Sequence, residues 1–261
     1  MKPMKHHMKS VKGLVTRFWL CCLLSLMSFS AHAVSKAEAD SAYARQHYQE
    51  AIKQYEALLQ QGVSADIYYN LGNAYYRSDN YTRAILNYER ALLLEPGDGD
   101  IRHNLQLARQ KTVDKLSPSA DFFLVTWYRS VVNLMGVDAW GWTALVVLFL
   151  AIVLFLVYLF SGRVALQKLG FFGAVLMVLL FLMSNVFAWH QKQMLTNRTG
   201  AIVVASETSV KSTPAQNGTD LFRLHEGTRV EITDGSMKDW KEVRLPDGKE
   251  GWIATEAIEM I

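Results

Sequence analysis

After a short apolar run near the N-terminus, the hydrophobic positions of the chain follow three successive patterns. From 34 to 116, apolar residues recur three and four positions apart, which is typical of amphipathic helices. Two nearly continuous apolar runs follow within 139–190, each close to the roughly 20 residues that a membrane-spanning helix needs. From 198 to 261, short stretches rich in Val, Ile, Thr and Trp alternate with Asn-Gly and Asp-Gly turn signals. The pattern predicts a multidomain chain: an all-α helical repeat, a two-helix transmembrane hairpin and a small all-β barrel.

The helical region repeats itself. The motif Y-x-x-A-I-x-x-Y-E begins at Tyr48 and again at Tyr81, and D-I-x-x-N-L begins at Asp66 and again at Asp100. A period of 33–34 residues with helical spacing indicates stacked helical hairpins.

Residues 65–98 resemble the tetratricopeptide repeat (TPR). The signature positions are occupied by Tyr68, Leu71, Gly72, Tyr75, Tyr81, Ala84, Tyr88, Ala91 and Pro96. The chain departs from the family at Asp79, where a glycine is usual, so we expect a slightly different turn there. With a degenerate repeat before it and a closing helix after it, we predict a TPR domain over 34–116, with two repeats and a capping helix. Because such arrays usually need three units, we expect a partner or a neighbouring domain to support it.

The TPR resemblance implies a concave groove that binds a protein segment or a partner helix. Transferred position by position, the groove residues are Tyr69, Asn70, Asn73, Tyr76, Arg77, His103 and Asn104. An asparagine amide offers both a donor and an acceptor and so can hold an extended peptide backbone. The alternative is that residues such as Asn70 and Tyr76 only brace one helical hairpin against the next.

The N-terminal segment, 1–33, is predicted to be a secretory signal peptide. It combines basic residues, a short apolar run and small residues in an A-x-A pattern that ends at Ala33. An uncleaved anchor, or a lipoprotein attached through Cys21 or Cys22, remains an alternative. In each case the residues that follow begin outside the cytoplasm.

The two apolar runs predict transmembrane helices at 139–162 and 169–190, joined by a cytoplasmic loop at 163–168. The loop carries Arg163 and Lys168 and no acidic residue, as cytoplasmic loops tend to. Together with the export signal, this places both flanking domains outside, in the periplasm. Trp140, Trp142 and Trp189 are then expected at one outer interface, where indole rings prefer to lie.

Small and weakly polar residues within the spans predict how the two helices pack. Gly170 and Ala174 are expected to allow close approach, and Ser184 and Asn185 to form an interhelical hydrogen bond. Neither span contains an Asp, Glu, Lys or Arg, which disfavours a transporter subunit.

The segment 117–138 is rich in Phe, Trp, Val and Leu and has few charges. We predict an amphipathic segment that lies at the outer membrane interface. The alternative, a helix packed under the TPR domain, is not separated from it by the sequence.

Residues 198–261 resemble bacterial SH3-like domains. The most specific part is a Trp-x-x-Val strand from Trp240 to Val243, followed by Gly251-Trp252-Ile253. The resemblance implies binding of peptides, cell-wall components or partner proteins, with Phe222, Trp240 and Trp252 as the candidate face. The alternative is that Trp240 and Trp252 form the core of the barrel.

The charge distribution and the residue composition disfavour two further classes of function, nucleic-acid binding and catalysis. The net charge of +3 comes from the N-terminal segment, so neither folded domain has the excess of basic residues that nucleic-acid binding needs. Both cysteines lie in the same segment, the histidines are scattered, and no catalytic or phosphate-binding motif is present. The sequence therefore predicts no catalytic residue, no metal, no cofactor and no enzymatic activity.

The order of these segments resembles the BatE-type aerotolerance proteins. That resemblance implies a periplasmic scaffold in a complex with membrane proteins that carry von Willebrand factor A domains, and with a MoxR-type ATPase. Because the ATPase is cytoplasmic and this chain exposes only a short loop there, we expect that link to be indirect. The alternative function is a cell-envelope sensor or tether that binds cell-wall components through the SH3-like domain.

Overall fold

The computed structural model describes residues 35–116 and 122–261, so the predicted signal peptide and the residues 117–121 lie outside the described part. The helices are α1 (Lys36–Ala44), α2 (Tyr48–Leu59), α3 (Ala65–Arg77), α4 (Tyr81–Leu94), α5 (Gly99–Arg109), α6 (Phe123–Val132), α7 (Val137–Phe160) and α8 (Val164–Thr196). The strands are β1 (Gly200–Val203), β2 (Glu207–Lys211), β3 (Asp220–His225), β4 (Arg229–Asp234), β5 (Trp240–Arg244), β6 (Glu250–Ala254) and β7 (Ile258–Met260). The predicted fold class is confirmed: a helical repeat, an apolar helical hairpin and a small antiparallel sheet.

Helices α1 to α5 form two hairpins and a closing helix. Between the helices of each hairpin, one residue adopts a left-handed conformation: Gln46 with φ 64° and Asp79 with φ 60°. We expected Asp79 to give a different turn, but it adopts the conformation that glycine usually supplies. A short polar residue tolerates this conformation better than most, and the Asp79 carboxylate accepts a hydrogen bond of 2.6 Å from the Tyr81 hydroxyl.

Residues of the TPR signature set the close packing of α3 on α4 and the end of α4. A Cβ atom at Gly72 would lie 2.6 Å from the ring of Tyr88, so only glycine lets α3 approach α4 this closely. Helix α4 ends at Leu94, just before Pro96, which lacks the N–H needed to extend it. Asp98 is the N-cap of helix α5, since its side chain accepts hydrogen bonds from two backbone N–H groups of the first turn.

Helices α7 and α8 form an antiparallel hairpin, and both are long and apolar enough to cross a membrane. The two helices approach closely at Gly170, where an added Cβ would lie 2.7 Å from the Leu154 carbonyl oxygen. The expected interhelical hydrogen bond is not formed, because Ser184 and Asn185 instead donate to the carbonyls four residues back in α8. Helix α8 begins at Val164, so most of the predicted loop 163–168 is helical.

The seven strands form one antiparallel sheet in the order β3-β2-β6-β5-β4-β1-β7. Its core is built mainly from alternating side chains of the strands, joined by Leu245 after β5 and Ala257 before β7: Ala201, Val203, Val210, Leu224, Val230, Val243, Leu245, Ile253 and Ala257. The turn between β5 and β6 contains Gly248 at φ +88°, as the Asp-Gly signal predicts.

The barrel packs on α4, and this apolar contact extends the core of the helical repeat. Ile202 from β1 and Ile261 after β7 are buried in the same cluster as Ile85 and other residues of α4 and α5. The turn between β3 and β4 also approaches closely, since a Cβ atom at Gly227 would lie 2.5 Å from Thr112. The neighbouring domain therefore supplies the support that a two-repeat array needs.

Polar contacts fix the barrel in the same position. Glu259 of β7 pairs with Arg83 at 2.5 Å and with Arg90 at 3.0 Å. Asp114 receives hydrogen bonds from the His225 backbone N–H and the Thr228 hydroxyl, both at 2.7 Å. Burial by itself would raise the pKa of Asp114, but these bonds and the His225 ring hold it below its usual value.

Candidate functional site

Three of the predicted groove residues are joined by hydrogen bonds. The Asn73 side-chain oxygen accepts from the Tyr88 hydroxyl at 2.8 Å and from the Asn104 amide at 2.9 Å. The Asn104 amide also lies 3.0 Å from the Tyr69 hydroxyl. Burial raises the pKa of Tyr88, so its hydroxyl stays protonated and remains a donor. This cluster braces α3, α4 and α5 while it fixes the orientation of both amides.

The other predicted groove residues have weaker attachments. The Asn70 amide lies 3.5 Å from Asp66, at the outer limit of a hydrogen bond. Arg77 donates to the Tyr48 hydroxyl at 3.3 Å, and its guanidinium lies over that ring. The Tyr76 ring meets Tyr81 edge to face, and His103 is exposed on α5.

Tyr43 and Tyr48 extend this aromatic surface, although neither is among the groove residues predicted from the sequence. Their rings meet edge to face, with centroids 5.5 Å apart, next to Arg77. Tyr43 lies one repeat length, 33 residues, before Tyr76. The period was therefore the signal that could have found it.

Acidic groups in this region are paired. Lys36 lies 2.9 Å from Asp40 and 3.1 Å from Asp66, and Tyr55 also donates to Asp40 at 2.6 Å. The hydrogen bond to Asp40, then that to Asp66, raises the pKa of Lys36. The surface thus offers tyrosine rings, amides, a histidine and the Arg77 guanidinium, while its carboxylates at Asp40 and Asp66 are paired with Lys36, which favours an extended peptide backbone over a highly charged ligand.

The candidate residues of the barrel do not share one face. In β5 and β6, the buried Val243 and Ile253 point inward, whereas Trp240 and Trp252 are half-buried on the opposite face. Phe222 of β3 packs instead against the core. The interpretation that Trp240 and Trp252 form the core is wrong, because the alternation along each strand turns them outward.

The outward face around Trp252 is polar on both sides. Trp252 is paired across the sheet with Lys211 of β2 and Glu242 of β5, and Trp240 lies opposite Ala254. An indole ring framed by charged side chains can stack on a flat or ring-shaped group while its neighbours donate and accept hydrogen bonds. Among the described residues, no group of His, Cys, Asp and Glu is arranged to hold a metal ion.

Comparison with known proteins defines the class of both domains. Residues 36–101 match the model of the tetratricopeptide repeat, and residues 206–259 match that of the bacterial SH3 domain. The chain thus combines a protein-interaction repeat and a bacterial SH3 domain with two apolar helices between them, and both domain types are typically non-catalytic. A search of the curated proteins returned no match.

Proposed function

We propose that this chain is a membrane-anchored periplasmic scaffold whose TPR groove holds a segment of another protein. The proposal rests on one observation: the barrel and the candidate groove lie on different parts of the TPR domain. The barrel occupies α4 and the segment after α5, whereas Asn70, Tyr76 and His103 lie on α3 and α5. The barrel thus supports the repeat from one side and leaves the groove helices available.

The proposed topology puts α7 and α8 across the inner membrane, with both folded domains on the periplasmic side. Its support is the basic connection around Arg163 and the apolar surface of both helices. A reporter fused after residue 165 is expected to report a cytoplasmic location. Activity of a reporter that works only outside the cytoplasm would overturn this topology.

The BatE-type resemblance supplies a proposal for the partners. In this proposal the groove or the barrel contacts membrane proteins with von Willebrand factor A domains, and a MoxR-type ATPase joins the complex indirectly. The connection between α7 and α8 is Ser161–Arg163, which leaves little surface for a direct cytoplasmic contact.

Site-specific photo-cross-linking in intact membranes tests the groove. A photoreactive residue at Asn70 or at His103 is expected to give adducts with another membrane protein. The matched control is Lys53, an exposed residue of α2. Identical adducts from Lys53, or none from either groove position, would refute the groove as the contact. Mass spectrometry of the adducts then decides whether the partner carries a von Willebrand factor A domain.

The second candidate function is a cell-envelope tether, and the outward position of Trp240 and Trp252 favours it. The full-length protein in detergent is expected to sediment with isolated cell wall, and Trp252→Ala should reduce the bound fraction. Trp142→Ala is the matched control, since Trp142 is an exposed tryptophan on α7. Absence of sedimentation, or equal loss in both variants, would remove this function.

A further inference from the structure

Helix α6 meets three different environments around its axis. Its sequence, FLVTWYRSVV, carries a single charged residue, Arg129. The structure places one side of the helix against the α7–α8 hairpin and a second side towards the TPR domain, and a third side is exposed.

The first side is fixed to the hairpin. Tyr128, Val131 and Val132 pack with Trp140 and Phe187. The carbonyl of Val132 accepts two side-chain hydrogen bonds of 3.0 Å, one from the Trp140 indole and one from Gln191 of α8. Trp140 therefore points inward rather than towards lipid, unlike the exposed Trp142 and Trp189.

The second side is polar and lies under the TPR domain. Thr126, Ser130 and Asn133 line a shallow cavity together with Gly97 and Arg102 of the repeat. The turn after α6 touches the repeat directly, because a Cβ atom at Gly97 would lie 2.3 Å from the Leu134 carbonyl oxygen. The turn that follows α6 thus touches the TPR domain, whereas Thr126 and Ser130 are exposed and face the repeat across the cavity.

The third side is apolar and exposed. Phe123 is 68% exposed, Trp127 60% and Leu124 50%. Phe122 extends the patch, with its ring edge-on to Phe123 at 5.3 Å. This side lies next to the ends of two membrane-length helices, many of whose exposed residues are large and apolar.

We propose that Phe123, Leu124 and Trp127 form a lipid-binding surface that inserts into the outer leaflet of the membrane that α7 and α8 span. An amphipathic helix of this kind lies about 5–10 Å into the boundary between headgroups and acyl chains. The contact of the following turn with the TPR domain, at Gly97 and Leu134, limits deeper entry. A second copy of the chain fits less well as the occupant. Stable protein interfaces bury roughly 1,200–2,000 Å², and one side of a ten-residue helix, about 15 Å long, offers only a small part of that area.

Lipid insertion is measured on the full-length protein in bilayers. Because the chain has seven tryptophans but only two cysteines, Cys21 and Cys22, a serine replacement of both leaves a background for single labels. Phe123→Cys or Trp127→Cys carries an environment-sensitive fluorophore, and lipids with quenchers at shallow or deep positions report its depth. Ser130→Cys, on the polar side of the same helix, is the matched control, and Phe149→Cys within α7 reports the membrane span.

The expected result is strong quenching of the labels at 123 and 127 by shallow quenchers and weak quenching at 130. Quenching at 123 and 127 that does not exceed that at 130 overturns the proposal. Loss of deep quenching at 149 instead overturns the membrane span, on which this proposal and the proposed topology both rest. Label-to-label energy transfer at position 127 that rises with protein density would identify a second copy as the occupant and also overturn the lipid proposal.

Discussion

Truncation of Ile202 tests whether the barrel and the TPR repeat are held together as one unit. Ile202 and its neighbours on β1 face opposite directions: Ala201 and Val203 belong to the barrel core, whereas Ile202 packs with α4. Ile202→Ala therefore removes apolar contact between the domains and leaves the barrel core intact. Ile253→Ala is the matched control, because Ile253 is equally buried but lies in the barrel core.

The expected free-energy cost of Ile202→Ala follows from the complete burial of the isoleucine side chain. Ile202 is 0% exposed, and an isoleucine-to-alanine change at such a site costs about 2–5 kcal/mol. The cost should lower the free energy needed to separate the barrel from α4. Since each 1.36 kcal/mol is a factor of ten, amide protection in α4 should fall roughly thirtyfold or more.

Hydrogen exchange with mass spectrometry on the full-length protein in bilayers measures this change. Ile202→Ala should raise exchange in residues 81–94 and leave 240–254 nearly unchanged, because the domains separate while the barrel stays folded. Ile253→Ala should raise exchange in both ranges, since loss of the barrel also removes its contact with α4. Faster exchange confined to 240–254 in Ile202→Ala would refute the assignment of Ile202 to the interface.

Three further predictions are measured as thermal unfolding midpoints in detergent. Gln46→Gly should stabilise the protein by about 0.5–1 kcal/mol, because Gln46 is exposed and its backbone is in the left-handed conformation that glycine adopts without strain. Gln46→Ala should not stabilise it, and equal effects of the two substitutions would contradict backbone strain at Gln46. The pKa of Asp114 is lowered in the folded state, so its stabilisation is present at neutral pH and is lost as pH falls below about 4. Asp114→Asn should therefore cost about 1–3 kcal/mol at pH 7 and progressively less as the pH falls through the lowered pKa of Asp114; a pH-independent difference would oppose this. Gly170→Leu should destabilise the hairpin strongly, whereas Gly141→Leu, with open space around Gly141, should not; equal midpoints would rule out close packing at Gly170.

Much of the fold could be predicted because its signals are local. The repeat period, the strand alternation and the length of the apolar runs each depend on residues that are near one another in the chain. The turn at Asp79 shows the limit of such signals, since the expected departure from the glycine conformation did not occur. There the packing of two helices fixed the backbone, and the residue adapted to it.

The contact between the domains could not be predicted from the sequence. It depends on pairs far apart in the chain, such as Arg83 with Glu259 and Asp114 with His225. Each of these residues is an ordinary charged or polar surface residue in its own segment, so no local pattern identifies it. Trp140 lies at the start of an apolar run, a place typical of an interfacial tryptophan, but its ring packs on Phe187 of α8, which is distant in the chain.

The candidate groove contains residues that are hydrogen-bonded to the core and residues that are not, and this difference decides which substitutions test binding. Asn73 and Asn104 are joined to buried Tyr88, so their substitution would disturb the packing of three helices as well as any ligand. Among the described residues, Asn70 and His103 make no such bond to the core, so a loss of binding in their variants would report on the groove itself. A bracing role for Asn73 and a binding role for Asn70 are compatible, because the first fixes the helices on which the second is presented.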